Sequence, residues 1–305
     1  IQWYIKNRNF LNRISKNHMI KGWIKSMIKK VYFSSGTGSR MSPLTKAVNK
    51  QLLPLYDKPL IYYPLSVLML AGIKNILIIV NKGQLNQFKK ILPTKNNLGI
   101  KISYKEQYHP GGLPEAFLIG EDFIGSDNIA LILGDNFFYG QNLSSRLKKS
   151  IKLNKGAQVF LHPVNNPQLY GVATINDKNK IIKIVEKPKK SKSNLAVTGI
   201  YFFDNRVISY SKSLKPSKRK ELEIVDLLNK YKKCGRLKAE FIGRGGAWLD
   251  TGNVEDFYNT SSFVSAIENR QGLKIACLEE IAFNNKWIKR KEILEAIKFY
   301  GNCNY

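Results

Sequence analysis

The chain has 305 residues, of which 43% are hydrophobic and 24% are charged. This length and balance exclude a disordered chain and a small disulfide-stapled module, because a chain of this size buries a core without cross-links. Lys and Arg number 50 against 22 Asp and Glu, which gives a formal net charge of +28. Such a charge indicates either polyanionic partners or a lysine-rich solvated surface.

Residues 1–26 are predicted to be an N-terminal extension outside the folded domain. Basic residues recur there every few positions without a sustained apolar period, and no acidic residue occurs. The uninterrupted apolar run and small-residue cleavage site of a secretory signal are missing. A translated upstream segment, a basic arm and a targeting segment all stay open, with Met27 as an alternative start. Residues 27–305 are predicted to form the domain.

Beyond this extension, short β-like runs alternate with helix-like stretches. This order is typical of βαβ units and predicts an α/β fold with a mostly parallel sheet. The longest apolar stretch, within 59–73, is too short to cross a bilayer, so no membrane partner is expected. The predicted strands are 31–34, 75–80, 101–104, 129–133, 158–163, 171–175, 181–185, 197–203 and 238–242. The predicted helices are 59–70, 84–91, 114–119, 221–232 and 254–268.

Cysteine and histidine are too few and too scattered to predict a disulfide framework or a zinc site. The chain has three of each, with no CxxC spacing and no clustering. Unpaired thiols are typical of a reducing compartment, so a cytoplasmic location is expected.

The Gly-containing loop after the first predicted strand is a candidate phosphate-binding loop. Backbone N–H groups at Ser35, Gly36 and Gly38 can cradle a phosphate, and Arg40 can bind its charge. The loop lacks both the Gly-Lys-Ser/Thr end of a Walker loop and the third glycine of a dinucleotide fingerprint, so a plain tight turn is the alternative. Lys50, ten residues downstream, adds a second cation and favours the phosphate site.

Two aspartates are candidate ligands for Mg²⁺. Asp135 follows the predicted strand 129–133, and the carboxyl ends of strands border the ligand crevice of an open α/β sheet. Asp250, in the sequence Trp-Leu-Asp-Thr-Gly, offers a second carboxylate. Two carboxylates together with nucleotide phosphates match the usual way in which Mg²⁺ is held. The alternative for Asp135 is an ordinary cap of a strand-to-loop turn.

Glu186 and Lys187 end another predicted strand. Side by side, they offer an acceptor for sugar hydroxyls and a donor for a phosphate. A surface charge pair is the alternative interpretation.

In this order along the chain, the motifs resemble the sugar-nucleotidyltransferase family, and within it the glucose-1-phosphate thymidylyltransferases. The resemblance covers residues from about 28 to 300 and includes the connecting runs 56–72 and 270–274. The matching motifs are Ser35–Arg40, Lys50–Pro54, Gly112-Leu113, Leu133–Asn136, Glu186–Pro188, Val197–Tyr201, Glu221–Ile224 and Ala247–Gly252.

The resemblance implies a Rossmann-like domain with a sugar-binding half. It implies transfer of a thymidylyl group from dTTP to α-D-glucose 1-phosphate, which gives dTDP-glucose and pyrophosphate on the route to dTDP-rhamnose. Mg²⁺ is the implied cofactor and a homotetramer the implied assembly. The implied site residues are Arg40 and Lys50 on the dTTP phosphates, Gln51, Gln107 and Gly112 at the thymine, Tyr170, Gly171, Glu186, Thr198 and Gly199 around glucose, Lys187 and Arg219 on its phosphate, and Asp135 and Asp250 on Mg²⁺.

The chain departs from the family pattern at positions in or near the implied site. Ser34 and Ser35 stand in a run that is normally Ala-Gly-Gly, and a Cβ at position 35 is expected to crowd the nucleotide and lower activity. Pro114 and Glu115 stand where the family usually has Ala-Gln, and Val225 where it has Thr.

Two other functions fit part of the pattern. The same scaffold can prefer UTP or CTP, because a pocket that tolerates a missing methyl discriminates by only about 1–3 kcal/mol. A catalytically decayed, basic protein that binds polyanions would bind nucleic acid with a steep salt dependence. Both candidate carboxylates and every expected phosphate-binding cation are retained, which favours the enzyme over nucleic-acid binding.

Overall fold

A computed structural model describes residues 29–33, 38–153 and 155–305. The predicted extension 1–26, the alternative start Met27 and the loop residues Ser35 and Gly36 lie outside the described residues. No helix in the described part of the chain is long and apolar enough to cross a membrane.

The strands and helices are numbered here in chain order. The strands are β1 (Lys29–Phe33), β2 (Pro54–Leu55), β3 (Lys58–Pro59), β4 (Asn75–Asn81), β5 (Lys101–Gln107), β6 (Ile129–Leu133), β7 (Asn136–Gly140), β8 (Ala157–Pro163), β9 (Gly171–Ile175), β10 (Ile181–Glu186), β11 (Leu195–Phe203), β12 (Leu237–Phe241) and β13 (Gly246–Asp250). The helices are α1 (Tyr62–Leu70), α2 (Leu85–Ile91), α3 (Glu115–Ile119), α4 (Glu121–Ile124), α5 (Leu143–Ser150), α6 (Val207–Lys212), α7 (Ile224–Lys233), α8 (Val254–Gln271), α9 (Leu278–Asn284) and α10 (Arg290–Tyr300).

A nine-stranded sheet forms the centre of the domain. Its main path is β10-β9-β11-β6-β1-β4-β5, and β8 pairs with both β11 and β12. The strands β6, β1, β4 and β5 are mutually parallel, whereas β11 runs antiparallel to β6, β8 and β9. The predicted α/β class is confirmed. Strands β6, β1, β4 and β5 are parallel, and so are β8 and β12. The β9–β10 pair is antiparallel because only five residues connect the two strands, and a parallel pair needs a longer crossover.

Both faces of this sheet are buried, as β4 shows. Successive side chains of a strand point to opposite faces. Ile76, Ile78 and Val80 accordingly belong to one apolar cluster, while Leu77 and Ile79 belong to the cluster on the other face. This double burial explains why an unbroken apolar run predicted the strand correctly.

A separate two-stranded ribbon, β7 paired antiparallel with β13, lies beside the main sheet. In its register Asn136 is opposite Asp250, and Gly140 is opposite Gly246. The backbones approach so closely at the glycine end that a Cβ added to Gly140 would lie 2.6 Å from the Cα of Gly246. The ribbon therefore needs glycine there, and it carries Asp250 to the end of β6.

Several boundaries differ from the predictions. The helix expected from Pro59 begins at Tyr62, because Pro59 pairs with Pro54 in the β2–β3 hairpin. The helix expected over 221–232 begins at Ile224, after an extended Glu223. Sequence patterns missed five described helices and the ribbon strands. The missed helices are α4, α5, α6, α9 and α10.

A buried ionic cluster joins the β2–β3 hairpin to α8. The Lys58 side chain is only 1% exposed, contacts Asp57, and lies 3.2 Å from Glu268 Oε1. Lys274 Nζ lies 2.7 Å from Asp57 Oδ2 and 3.0 Å from Glu268 Oε2. Glu268 also accepts a hydrogen bond from the backbone N–H of Ile275. Both lysine ammonium groups are therefore fully paired only while the Asp57 and Glu268 carboxylates are present.

We expect Glu268→Ala to lower the free energy of unfolding by about 3 kcal/mol, because it leaves a buried ammonium without one of its partners. Urea denaturation measures this change. The control is Glu295→Ala at the exposed pair with Lys291, for which a loss below about 1 kcal/mol is expected. Equal losses in the free energy of unfolding for the two substitutions would contradict a larger contribution of the buried cluster to stability.

Candidate active site

A cleft of about 210 Å³ lies between the carboxyl edge of the parallel strands, the β7–β13 ribbon and the β9–β10 hairpin. The structure brings eight of the predicted site residues to its lining. These are Arg40, Asp135, Tyr170, Gly171, Glu186, Lys187, Gly199 and Asp250.

Asp135 lies just after β6 and is paired with Lys50. The Lys50 Nζ is 2.5 Å from Asp135 Oδ2, and the lysine side chain is 8% exposed. Asn49 holds the short 3₁₀ turn that carries Lys50, because its Oδ1 accepts the backbone N–H of Gln51 at 2.9 Å. Burial alone would raise the pKa of Asp135, but the Lys50 ammonium and the Asn136 amide hold that pKa below its ordinary value. Asp135 is therefore charged at neutral pH.

Asn136 connects three elements at the base of the cleft. Its Nδ2 donates to Asp135 Oδ1 at 2.9 Å. Its Oδ1 accepts from Trp248 Nε1 at 2.6 Å and from the backbone N–H of Gly199 at 3.0 Å. A Cβ on Gly199 would lie 2.3 Å from this same oxygen, so only glycine fits there. The sequence motifs predict no role for Asn136, although its place directly after Asp135 is a signal for one.

Asp250 ends β13 beside Asp135. Thr251 holds the end of β13 against Asp135, because its backbone N–H and its Oγ1 donate hydrogen bonds to the Asp135 carbonyl at 3.0 Å and 2.8 Å. Burial and then the Asp135 carboxylate raise the pKa of Asp250 to about 7, with Asp256 adding and Lys50 and Arg40 opposing. The positive charge of Lys50 and Arg40 therefore does not fully offset the burial of Asp250 and its repulsion by Asp135.

This pair has the chemistry of a divalent-cation site. In the part of the chain that the structure describes, no group of three or more His, Cys, Asp or Glu is placed to hold a metal. Mg²⁺ is usually held by one or two carboxylates, with water and phosphate oxygens completing the octahedron. The unbalanced charge at Asp135 and Asp250 therefore fits a cation that arrives with phosphates.

Arg40 reaches the cleft from a 3₁₀ turn, Ser39–Met41, that follows Gly38. Gly38 has φ 65, and its carbonyl accepts Thr45 Oγ1 at 2.7 Å. The Arg40 guanidinium lies over Gly252, where a Cβ would be 3.1 Å from a guanidinium nitrogen and 3.2 Å from Asp250 Oδ2. The Arg40 guanidinium therefore lies beside the Asp250 carboxylate.

The opposite wall belongs to the β9–β10 hairpin, in which Glu186 pairs with Gly171. The backbone N–H of Lys187 donates to the Tyr170 carbonyl at 3.0 Å. Lys187 has φ 41, a left-handed conformation that is uncommon for a residue with a side chain and is often found at functional sites. Burial raises the pKa of Glu186, although Lys187 and Arg219 act to lower it. A hydrogen-bonding carboxyl group and an ammonium therefore border this wall.

Arg219 lies outside the lining of the cleft, at its rim. Its Nη2 is 3.8 Å from Glu186 Oε1. The guanidinium is bound mainly by Glu223, with Nη2 2.6 Å from Oε2 and Nε 3.1 Å from Oε1. Contact with a sugar phosphate would require Arg219 to share or leave this pair.

Six further predicted residues also lie outside the lining, namely Gly38 and Lys50, described above, and Thr198, Gln51, Gln107 and Gly112. Thr198 is fully buried, and its Oγ1 donates to the Phe160 carbonyl at 3.1 Å, so its side chain faces the core. Gln51 is 1% exposed, and its Oε1 has no hydrogen-bond partner among the described residues. Gln107 is buried at the end of β5. Gly112 has φ 89, and a Cβ there would lie 2.1 Å from the Leu222 carbonyl oxygen.

The cleft also contains residues that sequence reasoning missed. Trp248 packs its ring edge against Tyr170, with centroids 5.0 Å apart. Asp256 adds a third carboxylate at the start of α8, where its backbone N–H is capped by Asn253 Oδ1 at 2.8 Å. The Asn253 cap just before an acidic first turn was a readable signal for the helix, although not for the cleft.

Comparison with known proteins finds nucleotidyltransferases both by sequence and by structure. The model of a family described as nucleotidyl transferase matches residues 29–266. The glucose-1-phosphate thymidylyltransferase of Neisseria meningitidis is 48% identical over 278 residues, which cover 91% of this chain and 96% of that protein.

Two solved structures are similar to this chain. One is a Bacillus anthracis protein in complex with sucrose, assigned provisionally as a glucose-1-phosphate thymidylyltransferase, with a TM-score of 0.72, 38% identity and coverage of 77% of this chain and 94% of that one. The other is a UDP-glucose pyrophosphorylase complexed with UDP-glucose, with a TM-score of 0.68, 28% identity and coverage of 80% and 100%. These matches lie in the family that the sequence motifs indicated.

In metal-free protein we expect Asp250→Asn to stabilise the fold increasingly as the pH rises. Asp250 ionises near 3.8 when unfolded but near 7 in the fold. The folded state therefore holds the extra proton between these values, and the wild type loses stability as the pH rises through them. The advantage of the variant should grow by roughly 2 kcal/mol between about pH 5 and pH 8.

Urea denaturation in a chelating buffer measures this difference across the range. Asp122→Asn, at a side chain that is 92% exposed, controls for the change of charge alone. A constant gap between Asp250→Asn and wild type would contradict the raised pKa.

Proposed function

The chain belongs to the nucleotidyl transferase family, and from that premise we propose that it transfers a thymidylyl group from dTTP to α-D-glucose 1-phosphate, giving dTDP-glucose and pyrophosphate. One observation carries the proposal. A single cleft has Arg40 with two carboxylates on one wall and Glu186 with Lys187 on the other. The name of the Neisseria meningitidis relative supports the choice of thymidylyl and glucose 1-phosphate.

This reaction needs no general base, because a sugar phosphate is already an anion at neutral pH. The protein has to hold the attacking phosphate in line with the α-phosphorus of the nucleotide and to offset the repulsion between two polyanions. Arg40 and Lys50 are the proposed cations for the nucleotide phosphates. The Lys50 ammonium is buried against Asp135, where low dielectric strengthens its effect on a nearby phosphate.

Asp135 and Asp250 are the proposed Mg²⁺ ligands. When bound, the ion supplies charge neutralisation to the nucleotide phosphates and to the departing pyrophosphate. Asn136 and Thr251 hold the two aspartates in place. Asp250 gives up its proton more readily as positive charge arrives, so a raised pKa does not prevent it from acting as a ligand.

The other wall is proposed to hold glucose 1-phosphate. Glu186 and the backbone at Tyr170, Gly171 and Gly199 suit sugar hydroxyls, and Thr198 is left with a backbone role because its hydroxyl is engaged at Phe160. Lys187 and Arg219 are the proposed partners of the sugar phosphate. The left-handed backbone at Lys187 fixes the direction in which its side chain leaves the strand.

UTP is the second nucleotide to consider. The structural likeness to a UDP-glucose pyrophosphorylase favours its use as a side substrate. A missing methyl costs only about 1–3 kcal/mol of discrimination. We therefore propose dTTP as the preferred nucleotide and UTP as a slower one.

The homotetramer and the cytoplasmic location stay predictions from the sequence. Apolar side chains on α10, including Leu294 and Phe299, are exposed in the single chain and are surface that association would cover. Light scattering of the purified protein measures the mass of the assembly.

Purified protein with dTTP, glucose 1-phosphate and Mg²⁺ is expected to form dTDP-glucose, detected by mass spectrometry. The full chain and a chain beginning at Met27 are compared, with UTP and CTP in parallel reactions. A difference between the chains would locate an effect of the extension. Folded protein that forms no nucleotide sugar would contradict the proposal, and salt-dependent DNA binding would then support the polyanion-binding alternative.

Lys187→Ala is expected to lower kcat/KM for glucose 1-phosphate about 100-fold, because an ammonium paired with a phosphate in the transition state is lost. Lys189→Ala, two residues along the same loop and exposed, is the matched control and should stay near wild type. Steady-state kinetics with glucose 1-phosphate varied measures both. Near-normal turnover of Lys187→Ala would exclude this role.

A further inference from the structure

Arg219 is held at the rim of the cleft by Glu223, to which the sequence motifs assign no role. Both carboxylate oxygens take part, because Arg219 Nη2 lies 2.6 Å from Oε2 and Nε lies 3.1 Å from Oε1. A bidentate pair of this kind fixes the plane of the guanidinium as well as its position. These two bonds use only two of the five guanidinium N–H groups, so the others remain for a further acceptor.

Glu223 is itself fixed by the turn that carries Arg219. Ser217 Oγ donates to Glu223 Oε1 at 2.6 Å and accepts the backbone N–H of Arg219 at 3.1 Å. The Glu223 side chain is 14% exposed, whereas that of Arg219 is 47% exposed. Burial would raise the pKa of Glu223, but the hydrogen bonds from Arg219 and Ser217 and the charges of Arg219 and Lys187 hold that pKa below its ordinary value. Glu223 is therefore an ionised anchor at neutral pH.

This anchor belongs to the segment that builds one side of the cleft. Glu223 directly precedes α7, and Ile224, the first residue of that helix, lines the cleft. Arg219 also reaches toward the opposite hairpin, with Nη2 3.8 Å from Glu186 Oε1. Lys187 contributes to the lowered pKa of Glu223. The two cations proposed for the sugar phosphate therefore both act on the Glu223 carboxylate.

We propose that Glu223 is a positioning residue, which orients Arg219 in advance so that the remaining guanidinium N–H groups meet the phosphate of the sugar substrate. The inference rests on the proposed function for the placement of that phosphate, and it deepens it by assigning the geometry of the contact to Glu223. A free arginine side chain loses rotamer freedom when it binds an anion, and an arginine that is already held in place loses less. Arg219 thus shares itself between the carboxylate and the phosphate.

Simple electrostatics predicts the opposite effect of Glu223. A carboxylate near an incoming phosphate dianion repels it, so removal of the negative charge alone would strengthen binding of the sugar phosphate. Positioning predicts weaker binding after the same change, because the guanidinium is no longer oriented. The sign of the change in affinity therefore distinguishes the two effects.

The main test is Glu223→Ala in steady-state kinetics. The KM for glucose 1-phosphate is expected to rise about tenfold, while the KM for dTTP stays within about twofold of wild type. Glu221→Ala is the matched control, because it removes the same charge from the same turn at a side chain that makes no hydrogen bond to Arg219. Its KM for glucose 1-phosphate should be unchanged or lower.

Two results would overturn the proposal. One is a KM for glucose 1-phosphate that is unchanged or lower in folded Glu223→Ala, and the other is an equal rise in both KM values, which marks a structural effect. If Glu223→Ala does not fold, Glu223→Gln replaces it. Glutamine keeps the volume but offers one acceptor oxygen instead of two, so one contact to Arg219 is lost. A smaller rise, confined to glucose 1-phosphate, is then expected, and the same two results count against the proposal.

A double-variant cycle separates action through Arg219 from a direct effect. In an Arg219→Ala background the oriented group is absent, so Glu223→Ala should give no further rise in the KM for glucose 1-phosphate. A rise of the same size in both backgrounds would overturn the proposal.

Chemical labelling distinguishes this inference from the proposed function, because it needs no turnover. Phenylglyoxal, which reacts with guanidinium groups, is added and its products are located by peptide mass spectrometry, with exposed Arg270 as the reference. Arg219 is expected to react at least about twofold faster in Glu223→Ala than in wild type, because its two hydrogen bonds are lost. Equal rates would overturn the anchoring even if dTDP-glucose is formed. A wild type that forms no dTDP-glucose would contradict the proposed function, while faster labelling of Arg219 would still support the anchoring.

Discussion

The repulsion between two carboxylates is the constraint around which this domain is organised. Asp135 and Asp250 come from chain segments more than 100 residues apart, and the β7–β13 ribbon holds them side by side. Lys50, the Asn136 amide and Thr251 all act on this pair. The electrostatic cost remains visible in Asp250, whose pKa is raised to about 7 by burial and by Asp135. Strongly shifted pKa values are typical of functional sites, and this one fits the cation and phosphates that we propose to bind here.

The same arrangement gives the cleft two walls, each of which carries both carboxylates and cations. The cations and carboxylates that we propose for the nucleotide phosphates cluster at the ends of β6 and β13. The proposed sugar side is built on the β9–β10 hairpin, whose register places Glu186 opposite Gly171. Because the two walls belong to different elements of the fold, the proposed assignment gives each substrate its own support, with the reacting phosphates between them.

Sequence alone predicts the elements whose burial is uniform. β6 is apolar along its whole length, and β4 is apolar between its terminal asparagines, because both faces of the sheet are covered; the sequence predicts both almost to the residue. The ribbon was missed because β7 is stabilised by pairing with a strand far along the chain, which no local pattern records. Motif order predicted eight of the residues that line the cleft, but it could not show that the Thr198 hydroxyl faces Phe160 or that Arg219 is engaged by Glu223. Such orientations depend on neighbours that only the folded chain brings together.

The contact between Gly199 and Asn136 has a consequence for how this cleft can vary. Any side chain at position 199 would collide with an amide that already serves Asp135 and Trp248. A single substitution at the cleft floor would therefore disturb the carboxylates before it could reshape the wall that is proposed to bind the sugar. Divergence toward new sugars has to proceed through the walls, at residues such as Val225 and Leu169 that line the cleft but carry no part of that network. The floor of the cleft therefore tolerates little substitution, and a change in substrate range is expected to come from substitutions in the walls.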